Sequence, residues 1–363
     1  MFTKPSQRFP LLFVAVLVLF VAMWSGLLRM GWQWPTLSPW PMAHGPLMIA
    51  GFLGTLISIE RAVALNKSWL YAGPVLSALG GLYYVAGGNA ILGALLMTAG
   101  SFGLVVIFVV ILKQHRADYT VIMTLGAIAW FIGTLLWFLG LPIFQIVLWW
   151  SAFLVLTIVG ERLELNRIMP PSQRRRVIGL MTIGVYLLGL ILSLFWSDVG
   201  TRTISAGMLL MALWLLRFDI ARITVRKTGL VRFVAICLLS GYVWLGVSGV
   251  IGLYSGAVFA GPIYDAYLHT VFVGFTFSMI FGHAAIIFPA ILHLPVKYSS
   301  KFYYPLILLH ISLILRVVGD LNFQQPLRLW GSLFNAISIL LFLGIMGRTI
   351  YIGSKEAGEE AQA

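Results

Sequence analysis

The chemistry open to this chain is concentrated in six histidines, because it has one cysteine and only 11 acidic residues among 363. Neutral imidazole is a good metal ligand, and histidine is the side chain whose ordinary pKa lies closest to neutrality. His115, set between Lys113 and Arg116, reads as a solvated loop residue. His293 reads as a helix-end residue at headgroup level. His44, His269, His283 and His310 fall inside apolar runs, where an ionisable group is costly and marks a functional position. Cys237 is also in an apolar run, so an intrachain disulfide and a cysteine-based metal cluster are excluded.

The elements that must position these histidines are membrane spans. Sixty per cent of the residues are hydrophobic and 10% are charged, too few charges to cover a soluble protein of this size. Apolar runs of about 20 residues lie near 9–29, 44–64, 69–87, 90–112, 119–139, 141–160, 177–196, 202–217, 231–254, 263–290, 303–319 and 329–349. They predict an all-α polytopic bundle of about 12 transmembrane helices, in one domain over residues 1–352. Residues 353–363 form a polar, acidic tail, expected to be disordered. With the N-terminus inside, Lys and Arg fall overwhelmingly in inner loops, and only Arg29, Arg202, Arg316 and Arg328 lie outside. That bias predicts cytoplasmic termini, in an inner membrane of the bacterial type. It also explains the net charge of +13 through topology and lipid headgroups, with no nucleic-acid partner. No internal repeat is evident between residues 1–175 and 176–363.

The spans sort the histidines by depth. His44 opens the second span at the outer face, and His269 lies about two turns below the outer end of the tenth. His283 follows 14 residues later, which in an α-helix is ~21 Å of rise and a return to within ~40° of the same face. His310 rises ~12 Å from the inner end of the eleventh span by the same arithmetic. Two pairs result: His44 with His269 in the outer half, and His283 with His310 in the inner half. Two histidines without carboxylates suit haem iron better than structural zinc, which takes four ligands, or calcium and magnesium, which take oxygen. The plain alternative for any one of them is an interhelical hydrogen bond. Haem propionates need cations, and Arg316 lies near the outer end of the eleventh span, where an i,i+4 pair with Asp320 is an equal reading. Asp265, one turn outward of His269, is placed to orient a neighbouring group. Glu60 and Glu161 each precede an arginine, Arg61 and Arg162, at an inner helix end where ion pairing is expected.

This pattern resembles heme-copper oxidase subunit I: twelve spans, a histidine at the outer start of the second, another in the outer tenth, and an arginine ending the eleventh. Within that superfamily the chain looks most like the NnrS family, haem- and copper-containing membrane proteins linked to nitric oxide metabolism. The segments that carry the likeness are His44-Gly-Pro-Leu-Met-Ile-Ala-Gly-Phe-Leu-Gly-Thr, Leu268-His269-Thr-Val-Phe-Val-Gly and Leu315-Arg316-Val-Val. The resemblance implies a b-type haem held by His44 and His269; the depth pairing, separately, offers His283 and His310 as ligands of a second haem or metal. Copper belongs to the resemblance too, but the sixth and seventh spans hold no histidine, so an oxidase-type copper centre has no ligands here. The His-Pro-Glu-Val-Tyr element, a His-x-His pair in the tenth span and a glutamate following His44 are also missing.

The function expected on this basis is a haem-binding integral membrane protein, handling nitric oxide or passing electrons, from quinol or a redox partner protein. Whether that makes it a membrane haem oxidoreductase is left open by the residues. The competing reading is a 12-helix secondary transporter without haem. Against it, the sequence shows no matching Gly/Pro-interrupted helices in its two halves, the usual pointer to a transport site.

Overall fold

In lipid a backbone satisfies its own polar groups most simply as a helix, so long apolar runs become helices. A computed structural model describes residues 5–37, 40–165, 172–292, 294 and 296–360, and among these there is no strand. Among the described residues, eleven helical stretches are long and apolar enough to cross a membrane, two of them continuous only through π-helical segments. The remaining expected span, 69–87, third in chain order, is a 3-10 turn over Ser68–Tyr71 followed by a 14-residue helix. Together these rise about 29 Å, close to the ~30 Å of a hydrocarbon core, although neither piece is long enough alone.

The chain divides into two compact units. The first comprises residues up to 163 with 290–293. It holds α1 (Pro5–Met30), α2 (Trp40–Pro46), α3 (Thr55–Leu65), α4 (Ala72–Val85), α5 (Ala90–Gln114), α6 (Asp118–Phe138) and most of α7 (Ile143–Leu165). The second comprises 164–289 and 294–363. It holds α8 (Gln173–Leu192), α9 (Ser197–Phe218), the single turn α10 (Ala221–Thr224) and α11 (Gly229–Ser255). After these come α12 (Gly261–His269), most of α13 (Ser278–Leu292), α14 (Tyr303–Leu321) and α15 (Gln325–Glu360). α15 runs on past Tyr351 into the acidic segment that composition assigns to the tail.

Two joints matter most for the histidines. α2 passes into α3 through an eight-residue π-helix, Leu47–Gly54, and α12 passes into α13 through another, Thr270–Phe277. In a π turn the N–H reaches back five residues instead of four, which widens the helix, and such stretches concentrate at functional sites. Nearly every residue of both is buried. α3 closes on Asn66, whose left-handed backbone (φ 50°) is the usual helix stop for asparagine.

Candidate functional site

In the first unit, His44 sits at the end of α2 with its ring against α1. Its Nδ1–H donates to the Ala22 carbonyl at 2.7 Å. The ring fits only because residue 26 is glycine: a Cβ there would lie 2.7 Å from Nδ1 and Cε1. The following π segment is clamped by the same helix and by α4. A Cβ on Gly51 would meet Val18 at 2.7 Å and the Gly81 Cα at 3.5 Å, and Ser77 of α4 donates to the Ala50 carbonyl at 2.6 Å. Trp130, stacked on Phe153 with centroids 4.7 Å apart, lies directly over Gly54. Further along, Arg61 of α3 pairs with Glu161 of α7, and its guanidinium also covers the Phe108 ring. The ion pairing expected of these helix ends is therefore present, between helices and, from Arg61 to Glu60 at 3.7 Å, within α3.

In the second unit, Asp265 and His269 stand one turn apart on α12 and face Arg316 of α14. Arg316 binds Asp265 through two parallel bonds, Nε to Oδ2 at 2.7 Å and a terminal nitrogen to Oδ1 at 2.8 Å. The same terminal nitrogen lies 3.2 Å from His269 Nε2. His269 Nδ1–H donates to the Asp265 carbonyl at 2.9 Å, with the Asp265 carboxylate 3.2 Å away. These side chains are largely withdrawn from solvent, Arg316 at 7% exposure. Gly331 of α15 makes the placement possible, since a Cβ there would come within 2.6 Å of the Arg316 backbone. The i,i+4 pair of Arg316 with Asp320 does not form. Asp320 instead takes Arg328 from the start of α15, and its side chain is fully buried. The chain reverses after Leu321, so a residue eight positions on reaches Asp320 while Arg316 turns to α12.

The inner pair behaves differently. His283 Nδ1–H donates to the Met279 carbonyl of its own helix at 2.7 Å. His310 Nδ1 instead accepts from Trp244 Nε1 of α11 at 3.0 Å, with the two rings nearly parallel. The face arithmetic linking His269 to His283 also fails, because eight of the intervening residues are π-helical and turn less per residue. His115 is exposed and bonds Tyr119, as a loop residue would. His293 lies outside the described residues.

These bonds fix which ring nitrogen can bind a metal. A carbonyl can only accept, so His44, His269 and His283 each carry hydrogen on Nδ1 and, when neutral, keep the lone pair on Nε2. That is the tautomer in which ligand histidines are normally held. His310 is reversed: accepting at Nδ1 places its hydrogen on Nε2, an atom that is buried without a hydrogen-bond partner among the described residues. Sequence reasoning missed Trp244, which an otherwise unremarkable glycine-rich span conceals, and missed the Asp265–Arg316 pair, whose members are 51 residues apart. Among the described residues, no group of three or more His, Cys, Asp or Glu is placed to hold a metal ion.

The two π segments also match each other. Leu-Met-Ile-Ala-Gly-Phe-Leu-Gly and Thr-Val-Phe-Val-Gly-Phe-Thr-Phe both carry Gly-Phe at positions five and six, and both end before a hydroxyl residue, Thr55 or Ser278. Val18 meets the first at Gly51, while Ala22 and Gly26, at four-residue steps beyond Val18, hold His44 in the turn ahead of it. Trp244, Ser248 and Gly252 repeat these steps: Trp244 lies over Gly274 of the second segment, Ser248 bonds the Tyr267 carbonyl ahead of it, and Gly252 lies under the Tyr267 ring. In this register Tyr267 stands where His44 does, and His283 stands where Glu60 does.

No curated protein and no solved structure matches the chain. The family model described as "Domain of unknown function (DUF8744)" matches residues 8–350, and the chain belongs to that family.

Proposed function

We propose that the protein is a haem-binding integral membrane protein of the NnrS or oxidase-like type, in which intramembrane histidines ligate a b-type haem. The observation that carries this reading is the Nδ1–H bond of His44 to Ala22 and of His269 to Asp265, which leaves Nε2 as the basic atom of each ring. The donor chemistry fits haem iron, which takes one or two imidazoles. Bound haem would supply reversible one-electron chemistry and, with an open coordination position, nitric oxide binding. His44 is seated by Gly26, and His269 is oriented by Asp265. The lone pair of His269 is the one Arg316 now caps, so His269 would hold iron through Nε2 only in place of that N–H, and Asp265 would keep the guanidinium bound. His283 shares the ligand tautomer, whereas the Trp244 bond takes His310 out of the donor set. Quinol or a redox partner would supply electrons. The bias of Lys and Arg among the loops supports cytoplasmic termini, in keeping with the proposed bacterial inner-membrane setting.

The test is an optical spectrum of the detergent-purified protein, oxidised and dithionite-reduced, with pyridine haemochrome quantification. A sharp b-type band that is lost in His44→Ala and His269→Ala and kept in His310→Ala is the expected result. A colourless protein made with ample haem would sink the proposal. The transporter reading gains one specific support from the matched π segments, because irregular helices at corresponding positions of two halves mark transport sites. A colourless preparation would make that reading the better one.

A further inference from the structure

One end of the second unit is strongly cationic. α8 opens with Arg174, Arg175 and Arg176, α9 closes with Arg217, and four more cations follow between residues 222 and 232, all exposed. Between residues 173 and 232 the sequence holds two acids, Asp198 and Asp219. Asp198 begins α9 at the opposite end, and Asp219 is 2% exposed and caps the Ala221 N–H. A helix start favours negative charge, yet α8 starts with three arginines, and Ser172 at its N-cap makes no side-chain bond to it. An anion held there relieves both the dipole and the mutual repulsion.

The local geometry shows where that anion meets the protein. Trp214 Nε1 donates to the Arg175 carbonyl at 2.9 Å, tying the start of α8 to the end of α9. The Arg175 and Arg217 guanidinium groups then lie over one ring, Phe218, at 5.3 and 5.2 Å from its centroid. One to two turns inward, Ile178, Met181 and Leu213 present exposed apolar side chains on the same two helices. Converging cations above an apolar strip match a phosphate with hydrocarbon attached, which a free ion or a nucleic acid does not supply.

We propose that this end of the second unit binds an anionic phospholipid, its phosphate held by Arg175 and Arg217 above Phe218 and its acyl chains along Ile178, Met181 and Leu213. The site is independent of any haem.

Native mass spectrometry of the full chain in detergent, titrated with phosphatidylglycerol or with phosphatidylcholine of the same acyl chains, tests it. Phosphatidylglycerol should bind at least about tenfold more tightly. At roughly 1 kcal/mol per basic residue, R175Q/R217Q should weaken it about 20- to 30-fold, and R175K/R217K by much less. K113Q/R116Q, at the exposed loop of the first unit, should leave it unchanged. If R175Q/R217Q does not fold, Phe218→Leu carries the test and should weaken binding several-fold, because the ring holds both guanidinium groups. Equal binding of the two lipids, full binding by R175Q/R217Q or by Phe218→Leu, or competition by inorganic phosphate as effective as phosphatidylglycerol would overturn the proposal.

Discussion

The two units use one packing scheme and furnish it with different chemistry. Each has an eight-residue π segment, Leu47–Gly54 or Thr270–Phe277, and the long helix before it packs on that segment and on the turn ahead of it through residues at four-residue steps. At the helix position just ahead of the π segment, the first unit offers His44 in a glycine notch and the second offers Tyr267 in an equivalent notch. The second unit places its histidine two residues later, at His269, and surrounds it with Asp265 and Arg316. The first unit keeps its matching ion pair, Arg61–Glu161, far along α3. The scaffold therefore fixes where a polar residue can stand, and the choice of residue decides which hydrogen bonds that place makes.

Breaking the ion pair of the second unit should have the largest effect. Asp265→Asn leaves the Arg316 charge buried with a weakened partner and should cost about 3–5 kcal/mol in equilibrium unfolding in detergent. Replacing both residues with leucine should cost far less, and an equal cost would contradict the assignment of the loss to an uncompensated charge. Glu161→Gln in the first unit should cost about 1.5–3 kcal/mol, less than Asp265→Asn because its side chains are 13% and 21% exposed. Gly26→Val and Gly252→Val sharpen the comparison of the two notches. Each overpacks a ring by one side chain and should cost about 1–3 kcal/mol, with similar values for the pair. Only Gly26→Val should also perturb a haem spectrum, because only that notch seats a histidine. Trp244→Phe should be the mildest, about 1 kcal/mol, and its signature is a changed His310 tautomer ratio by nitrogen NMR.

The helices themselves were legible, because spans follow from runs of apolar residues and lipid leaves the backbone little choice. The span at 69–87 was legible as apolar, but not as a 3-10 turn leading into a short helix, which Leu70 and Tyr71 settle by burial. The histidines stood out for the same reason, polar groups in an apolar field. Their partners did not. Arg316 sits at the ideal spacing for Asp320, and nothing local reveals that α14 ends one residue later and that Asp265 lies across from it. The π segments were invisible as well: Leu-Met-Ile-Ala-Gly-Phe reads as any buried helix, and its widening accompanies neighbours such as Val18, Gly81 and Trp130. The match between the units rests on Gly-Phe and on packing register, too little for residue identity to expose.

A π segment also records a length. Reaching back five residues instead of four, it holds more chain per turn than an α-helix over the same span. Deleting one residue from an ordinary helix swings everything beyond it by about 100°, out of register with the core. Deleting one from Leu47–Gly54 or Thr270–Phe277 can be absorbed by letting the wide turns tighten. These two stretches are the places where the membrane bundle can shorten by a residue and still close.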